Sequence, residues 1–380
     1  MDARSALSAE ARNVLALARK DRKAATTALA QLSLEAQLAV VCEAPASARG
    51  LLLELTPQPE ALIPRLPEAE FCFTLKAIGI ADAHWLIEYA TPEQIVAAVD
   101  LDAWQGIDPD PAALEPWIAA LSTASEAALL RGTRALDPEL LVLYLRDRVD
   151  VYLDPRDEEW QAPPGFQTLE GQFYFGARRE NDDVDALARL LRILFSSDYW
   201  LYYRLMQGAI WELDSDLEEW ARRWRTGRLQ DMGFPSWDEA MRIYGFLRPE
   251  QRAEIPTGSR PFDASSWSLP VWMPGLPAAL DSTHLVFRAL AELEPEERQA
   301  FFYAFVAIAN AVAIADQLPL GEPETLPRAL DEAALQTSRG LEYLARENGL
   351  SAVEVLRRVE VERLFRVGAN LAPEPRALRE

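Results

Sequence analysis

Apolar residues recur at helical spacing along most of the chain, and one start signal punctuates them repeatedly. A polar residue or a turn is followed by Pro-Glu and then by an apolar-periodic run. It occurs at Leu66-Pro67-Glu68, Thr91-Pro92-Glu93-Gln94, Asp137-Pro138-Glu139, Arg248-Pro249-Glu250-Gln251 and Glu294-Pro295-Glu296-Glu297. Proline suits the first helical position, whose N–H has no intrahelical partner, and the glutamates that follow face the positive end of the helix dipole. The pattern predicts one or two helices over 5–44, then short helices at 46–55, 59–65, 67–78, 81–90, 92–100, 111–121, 123–131 and 138–149. Gly79 reads as a stop, and Thr91 with Gln94 and Thr123 with Glu126 read as capping boxes.

Between Asp154 and Asn181 the pattern changes. Pro155, Pro163, Pro164 and Gly165 precede short aromatic runs that flank Glu170-Gly171, which fits the turn of a small β-hairpin near 166–175. Helix resumes with Asn181 as a cap and the stripe Val184, Leu187, Leu190, Leu191, Leu194 and Phe195. From Asp198 one helix is expected to run to about Arg225. Leu213, Leu217, Trp220 and Trp224 share its inner face, and Glu218–Arg222 and Glu219–Arg223 pair outside. Ser236 with Glu239 caps another helix, 254–278 reads as a long Pro-rich ordered loop, and helices at 281–293, 295–316, 327–347 and 351–368 close the chain. The predicted fold is all-α, with short antiparallel helices in two helical halves of superhelical or repeat-like character. Its parts are an N-terminal helical segment (1–45), a repeat-like domain (46–153), a linker or hairpin (154–180) and a C-terminal helical domain (181–380).

Composition adds bounds. With 49% hydrophobic residues in 380, the chain has ample material for a packed core. Sixty acidic against 38 basic residues give a formal charge of −22, which argues against nucleic acid as a partner, because that binding neutralises phosphates with clustered Lys and Arg. Cys42 and Cys72 sit in apolar helical stretches and make no disulfide framework, and no signal-peptide pattern opens the chain, so a cytoplasmic location is expected. The apolar run Ala300–Ala315 is shorter than a bilayer span and is bracketed by Glu294, Glu296, Glu297 and Asp316. It reads as a helix buried in a protein core, without a membrane role.

Candidate chemistry is sparse. His84 and His284 stand apart with no ligand at metal spacing, and no nucleophile elbow, P-loop or dinucleotide fingerprint is present. No catalytic residue, metal ligand or cofactor is therefore assigned. Carboxylates are the one plentiful reactive type, at Asp182, Asp183, Asp185, Asp214 and Asp216, and hard cations prefer such oxygens. Most of the eleven tryptophans, Trp85, Trp200, Trp220 and Trp224 among them, fall on helical stripes and read as core. Trp267 and Trp272 in the Pro-rich loop, and Asn310, a lone amide in an apolar helix, are the candidate partner or ligand contacts.

The runs Leu66-Pro67-Glu68, Phe71 to Ala83, Ala90-Thr91-Pro92-Glu93-Gln94 and Leu101-Asp102-Ala103-Trp104, with Leu364-Phe365-Arg366-Val367-Gly368 near the end, resemble an uncharacterised bacterial family of large helical proteins with no assigned activity. Locally, residues 50–150 resemble the N-terminal helical superhelix of MgtE-type magnesium channels and repeats of flagellar motor switch proteins, which implies a cytoplasmic regulatory or assembly module. The function expected is a non-catalytic cytoplasmic scaffold or adaptor that binds a protein or peptide through helical grooves. The alternative is an enzyme with a carboxylate or divalent-cation site in the C-terminal half.

Overall fold

Each Pro-Glu start opens a helix in the computed structural model of the protein, which describes residues 9–157, 159–179, 184–255 and 283–371. Those residues hold twenty-one α-helices and two small antiparallel sheets, so the fold is all-α with minor β-structure. They divide into two compact units, one reaching to Arg228 and the other beginning at Leu229. The compositional break at 154–180 lies inside the first unit.

The first unit begins with α1 (Ala9–Lys20), α2 (Arg22–Ala30) and α3 (Leu34–Glu43). This is one helix more than the periodicity of 5–44 suggests. Local capping divides the run: the Asp21 carboxylate accepts from the N–H groups of Lys23 and Ala24, and the Ser33 hydroxyl accepts from Ala36 N–H. Then come α4 (Ala46–Leu55), α5 (Pro59–Leu62), α6 (Glu68–Ile78), α7 (His84–Ile87) and α8 (Pro92–Asp102). A two-stranded ribbon follows, β1 (Trp104–Gln105) with β2 (Asp108–Pro109), and then α9 (Pro111–Thr123), α10 (Glu126–Ala135) and α11 (Pro138–Arg148). The helix expected at 123–131 starts later, because Ser125 caps it. Thr123 ends α9 and turns its hydroxyl back to Ala120 O at 2.7 Å.

Packing here is largely between second neighbours: α4 lies on α6, α6 on α8, α8 on α10, and α9 on α11. Such stacking buries a continuous apolar seam, with Leu52, Leu53, Phe71, Trp117 and Tyr144 at its centre. Polar stitches fix the register. Gln94 closes the capping box with Thr91 and also donates its amide to Ile63 O and Leu66 O, both at 2.8 Å. Buried Arg49 pairs with Glu70 and donates to Cys42 O and Ala44 O. Asp102 takes both Lys76 and the Trp117 indole N–H.

The expected hairpin is present and gains a third strand. β3 (Val149–Leu153) pairs with β5 (Phe173–Ala177), which pairs with β4 (Gln167–Thr168), giving the order β3-β5-β4 with Gln167 opposite Phe175. Gly171 supplies the positive φ of +77° that its turn requires. Beyond it lie α12 (Asp185–Ser197), α13 (Tyr199–Trp211) and α14 (Asp214–Asp231). The single helix expected from 198 to 225 is thus broken at Glu212-Leu213. Arg146 explains the break: its guanidinium takes the Glu212 carbonyl and pairs with Asp214 at 3.0 Å, holding Glu212 in extended geometry.

The second unit contains α15 (Trp237–Ala240), α16 (Pro249–Arg252), α17 (Leu285–Leu290), α18 (Pro295–Ala315), α19 (Thr325–Asn348), α20 (Ala352–Arg358) and α21 (Val361–Ala369). Apolar α18 is long enough to cross a membrane, yet most of it is buried, with Phe305, Ala309 and Val312 fully enclosed against neighbours that include α19 and α21. The helix expected at 351–368 divides at Val359, whose extended backbone turns α21 onto α19. These two helices touch backbone to backbone. A Cβ on Gly340 would lie 1.9 Å from Leu364 O, and one on Gly368 would lie 1.8 Å from Gln336 O.

Candidate interaction surface

In the first unit the charged groups with catalytic potential are mostly engaged in holding helices. Asp100 on α8 is almost wholly buried and receives Arg228 in a bidentate pair, Nε to Oδ2 at 2.6 Å and Nη2 to Oδ1 at 2.9 Å. The same guanidinium reaches Asp137 at 2.9 and 2.6 Å, so one arginine bridges two carboxylates. Asp137, which precedes the Pro-Glu start of α11, makes no capping bond of its own. Arg225 donates to Asp100 O and Gly106 O and lies over the Trp104 ring, 4.5 Å from its centroid. Burial pushes the Asp100 carboxyl up against the pull of Arg228, and it draws Arg225 down to about 10, still cationic at neutral pH. The cluster is a clasp that fastens α14 to α8 and α11.

The carboxylates considered for a cation lie only partly within the described residues. Asp182 and Asp183 lie outside the described residues, Asp185 opens α12, and Asp214 is held by Arg146. Among the described residues no three His, Cys, Asp or Glu side chains are placed to hold a metal ion. His84 contacts Ala81 O at 3.0 Å, and His284 contacts Asp331 at 3.0 Å in the second unit. Both cysteines are buried, and burial followed by Glu70 pushes the Cys42 thiol up to about 12, which makes it unreactive.

What the first unit does present is aromatic surface. On α13 the buried stripe is Tyr202, Leu205 and Met206, and the opposite side carries Trp200 and Trp211, 77% and 54% exposed. Tyr199, Trp200 and Tyr203 touch ring to ring, with centroids 6.0–6.5 Å apart. Beneath them Tyr202 packs against Phe195 and Phe173 and donates its hydroxyl to Glu170 at 2.8 Å. On α14 the buried stripe is Leu217, Ala221 and Arg225, while Leu213 just before the helix and Trp220 and Trp224 on it stand 64%, 45% and 50% exposed. Trp220 and Trp224 stack with centroids 6.1 Å apart, and Arg223 lies over Trp220. The core assignment of Trp200, Trp220 and Trp224 is therefore corrected. Arginine occupies the inward face of α14 and displaces the tryptophans to its flank. The expected pairing of Arg222 with Glu218 is also replaced, since Arg222 turns to Ile107 O and Asp108.

Trp267 and Trp272 lie outside the described residues. Asn310 is fully buried in the second unit, and its amide N–H group donates to Gly233 O at 3.0 Å, tying α18 to the turn after α14. Its side-chain oxygen accepts no hydrogen bond from the described residues. Missed in the sequence were the clasp residues Asp100, Asp137, Arg225 and Arg228, and the exposed face of α13. Two signals could have found them. An arginine inside the stripe Leu217-Ala221-Arg225 needs a buried partner, and the spacing of eleven from Trp200 to Trp211 puts both on one side, away from Leu205 and Met206.

A family model described as a family of unknown function, DUF6178, matches residues 26–377. No curated protein and no solved structure matches the chain.

Proposed function

We propose, for a chain that belongs to the DUF6178 family of unknown function and takes no activity from that membership, a non-catalytic cytoplasmic scaffold that binds a protein or peptide partner. One observation carries this reading: the outward face of α13, where Trp200 and Tyr203 are displayed over a packed aromatic base and Trp211 is exposed on the same side. Tryptophan and tyrosine are the residues that most often supply binding hot spots, and rings fixed by neighbouring rings lose little freedom on docking. The likeness of residues 50–150 to the superhelix of MgtE-type channels supports the same kind of role, a bacterial assembly or regulatory piece built on stacked helices.

The test compares the full chain with its Trp200→Ser/Trp211→Ser variant as bait in lysate of the native cell. A partner retained by the first and lost by the second, at equal melting temperature, supports the proposal. Identical captured proteins from both baits overturn it. Calorimetric titration with Mg²⁺, Mn²⁺ and Ca²⁺ covers the enzyme alternative, which gains only if heat is released and the Asp214→Asn variant loses it.

A further inference from the structure

The exposed flank of α14 carries a separate pattern. Trp220 and Trp224 lie along one line of the helix, Leu213 stands just before its first turn, and Gly227 continues that line by one turn. A Cβ added at Gly227 meets nothing within 4 Å among the described residues, so their packing gives no steric reason for a glycine there. Glycine inside a helix costs about 1 kcal/mol relative to alanine, and its use is the close approach of another backbone or side chain. Charge along the same helix is segregated. Asp214, Asp216, Glu218 and Glu219 fill its first half, and the exposed Arg223 follows in the second half, beyond Trp220.

We propose that α14 docks on α14 of a second copy of the chain, antiparallel, about a two-fold axis near Trp220. Three features single out this occupant. Leu213 and Gly227 stand equally far from Trp220 on either side, so the axis lays Leu213 of one copy over the open Gly227 of the other. The same operation sets Asp216 across from the Arg223–Trp224 turn, acidic half against basic half, twice over. The Trp220–Trp224 stacks then meet at the centre and lose their exposure to water. The pairing uses α14 and leaves the face of α13 open, so it stands independently of the partner proposed for that face.

Sedimentation equilibrium of the full chain from about 1 to 200 µM tests the pairing. The expected result is a monomer–dimer equilibrium that Asp216→Arg and Arg223→Glu each weaken at least tenfold, while the double variant returns to within about threefold of the wild type. Both side chains are exposed, and melting by circular dichroism verifies that each variant is folded. Gly227→Tyr is expected to abolish the dimer without lowering the melting temperature of the monomer. A chain that stays monomeric throughout, single variants that associate as the wild type does, or a double variant no better than the singles overturns the proposal. Binding of a basic helical peptide by a strictly monomeric chain would assign the flank to another protein.

Discussion

Gly340 and Gly368 leave no room for a methyl group. Each would drive a Cβ into a carbonyl oxygen of the facing helix, and backbone cannot step aside as a flexible side chain can. Gly340→Ala or Gly368→Ala is expected to cost about 3 kcal/mol, read from the urea midpoint of the full chain. This also gives a physical meaning to Leu364-Phe365-Arg366-Val367-Gly368. Phe365 packs edge-on against Tyr244, Arg366 donates to Gly245 O, and Gly368 makes the crossing. Gln317 offers the opposite case. It closes α18 at φ +50°, where a side chain is strained, so Gln317→Gly should raise stability by up to about 1 kcal/mol. The acid limb of stability is set by groups such as Glu88 and Glu239. Serine hydroxyl and N–H donors at Ser125 and Ser236 hold these carboxyls below their ordinary 4.5. A lowered folded-state value gives stability that is present above pH 4.5 and lost as pH falls through it. Glu88→Gln should therefore sit below the wild type at neutral pH, and the gap should narrow as the pH falls below 4.5, as a pH series of urea midpoints will show.

Helix starts were the most legible elements, because Pro-Glu acts through its own first turn and needs no distant partner. α8, α11 and α18 begin where the pattern places them. Stops and breaks were harder to read. The break between α13 and α14 is imposed by Arg146 from another helix, and the bend at Val359 serves the contact of α21 with α19. Neither cause is local. The candidate surface was hidden for a related reason: Trp220 and Trp224 have the right spacing for a core, but inside it Arg228 had already claimed the carboxylates of Asp100 and Asp137, and Arg225 the main-chain carbonyls of Asp100 and Gly106. Removing that claim has a large effect at the scale of α14. Arg228→Ala leaves Asp100 buried and unpaired, and is expected to cost about 3–5 kcal/mol and to loosen α14, measurable as lost hydrogen-exchange protection in residues 217–228.

Across the whole molecule, electrostatic repulsion prevails. A formal charge of −22 with a pI near 4.6 opposes non-specific association of copies, so a specific contact must work against it, and it loads each copy with unfavourable self-energy. Raising sodium chloride from about 0.05 to 0.5 M should raise the melting temperature, since screening relieves repulsion more than it weakens buried pairs such as Arg228–Asp100, and differential scanning fluorimetry measures this directly. Exposed tryptophan in so acidic a shell is tolerable for the same reason, because charge suppresses the indiscriminate association that bare aromatic surface would otherwise invite.

The crossing of α19 and α21 also sets a timetable. Ribosomes deliver α19 complete, with its glycine-bearing side bare, before the residues that cover it have been joined to the chain. During that interval the nascent polypeptide leaves uncovered a face made for one late-arriving segment, until Val361–Ala369 emerges to close it.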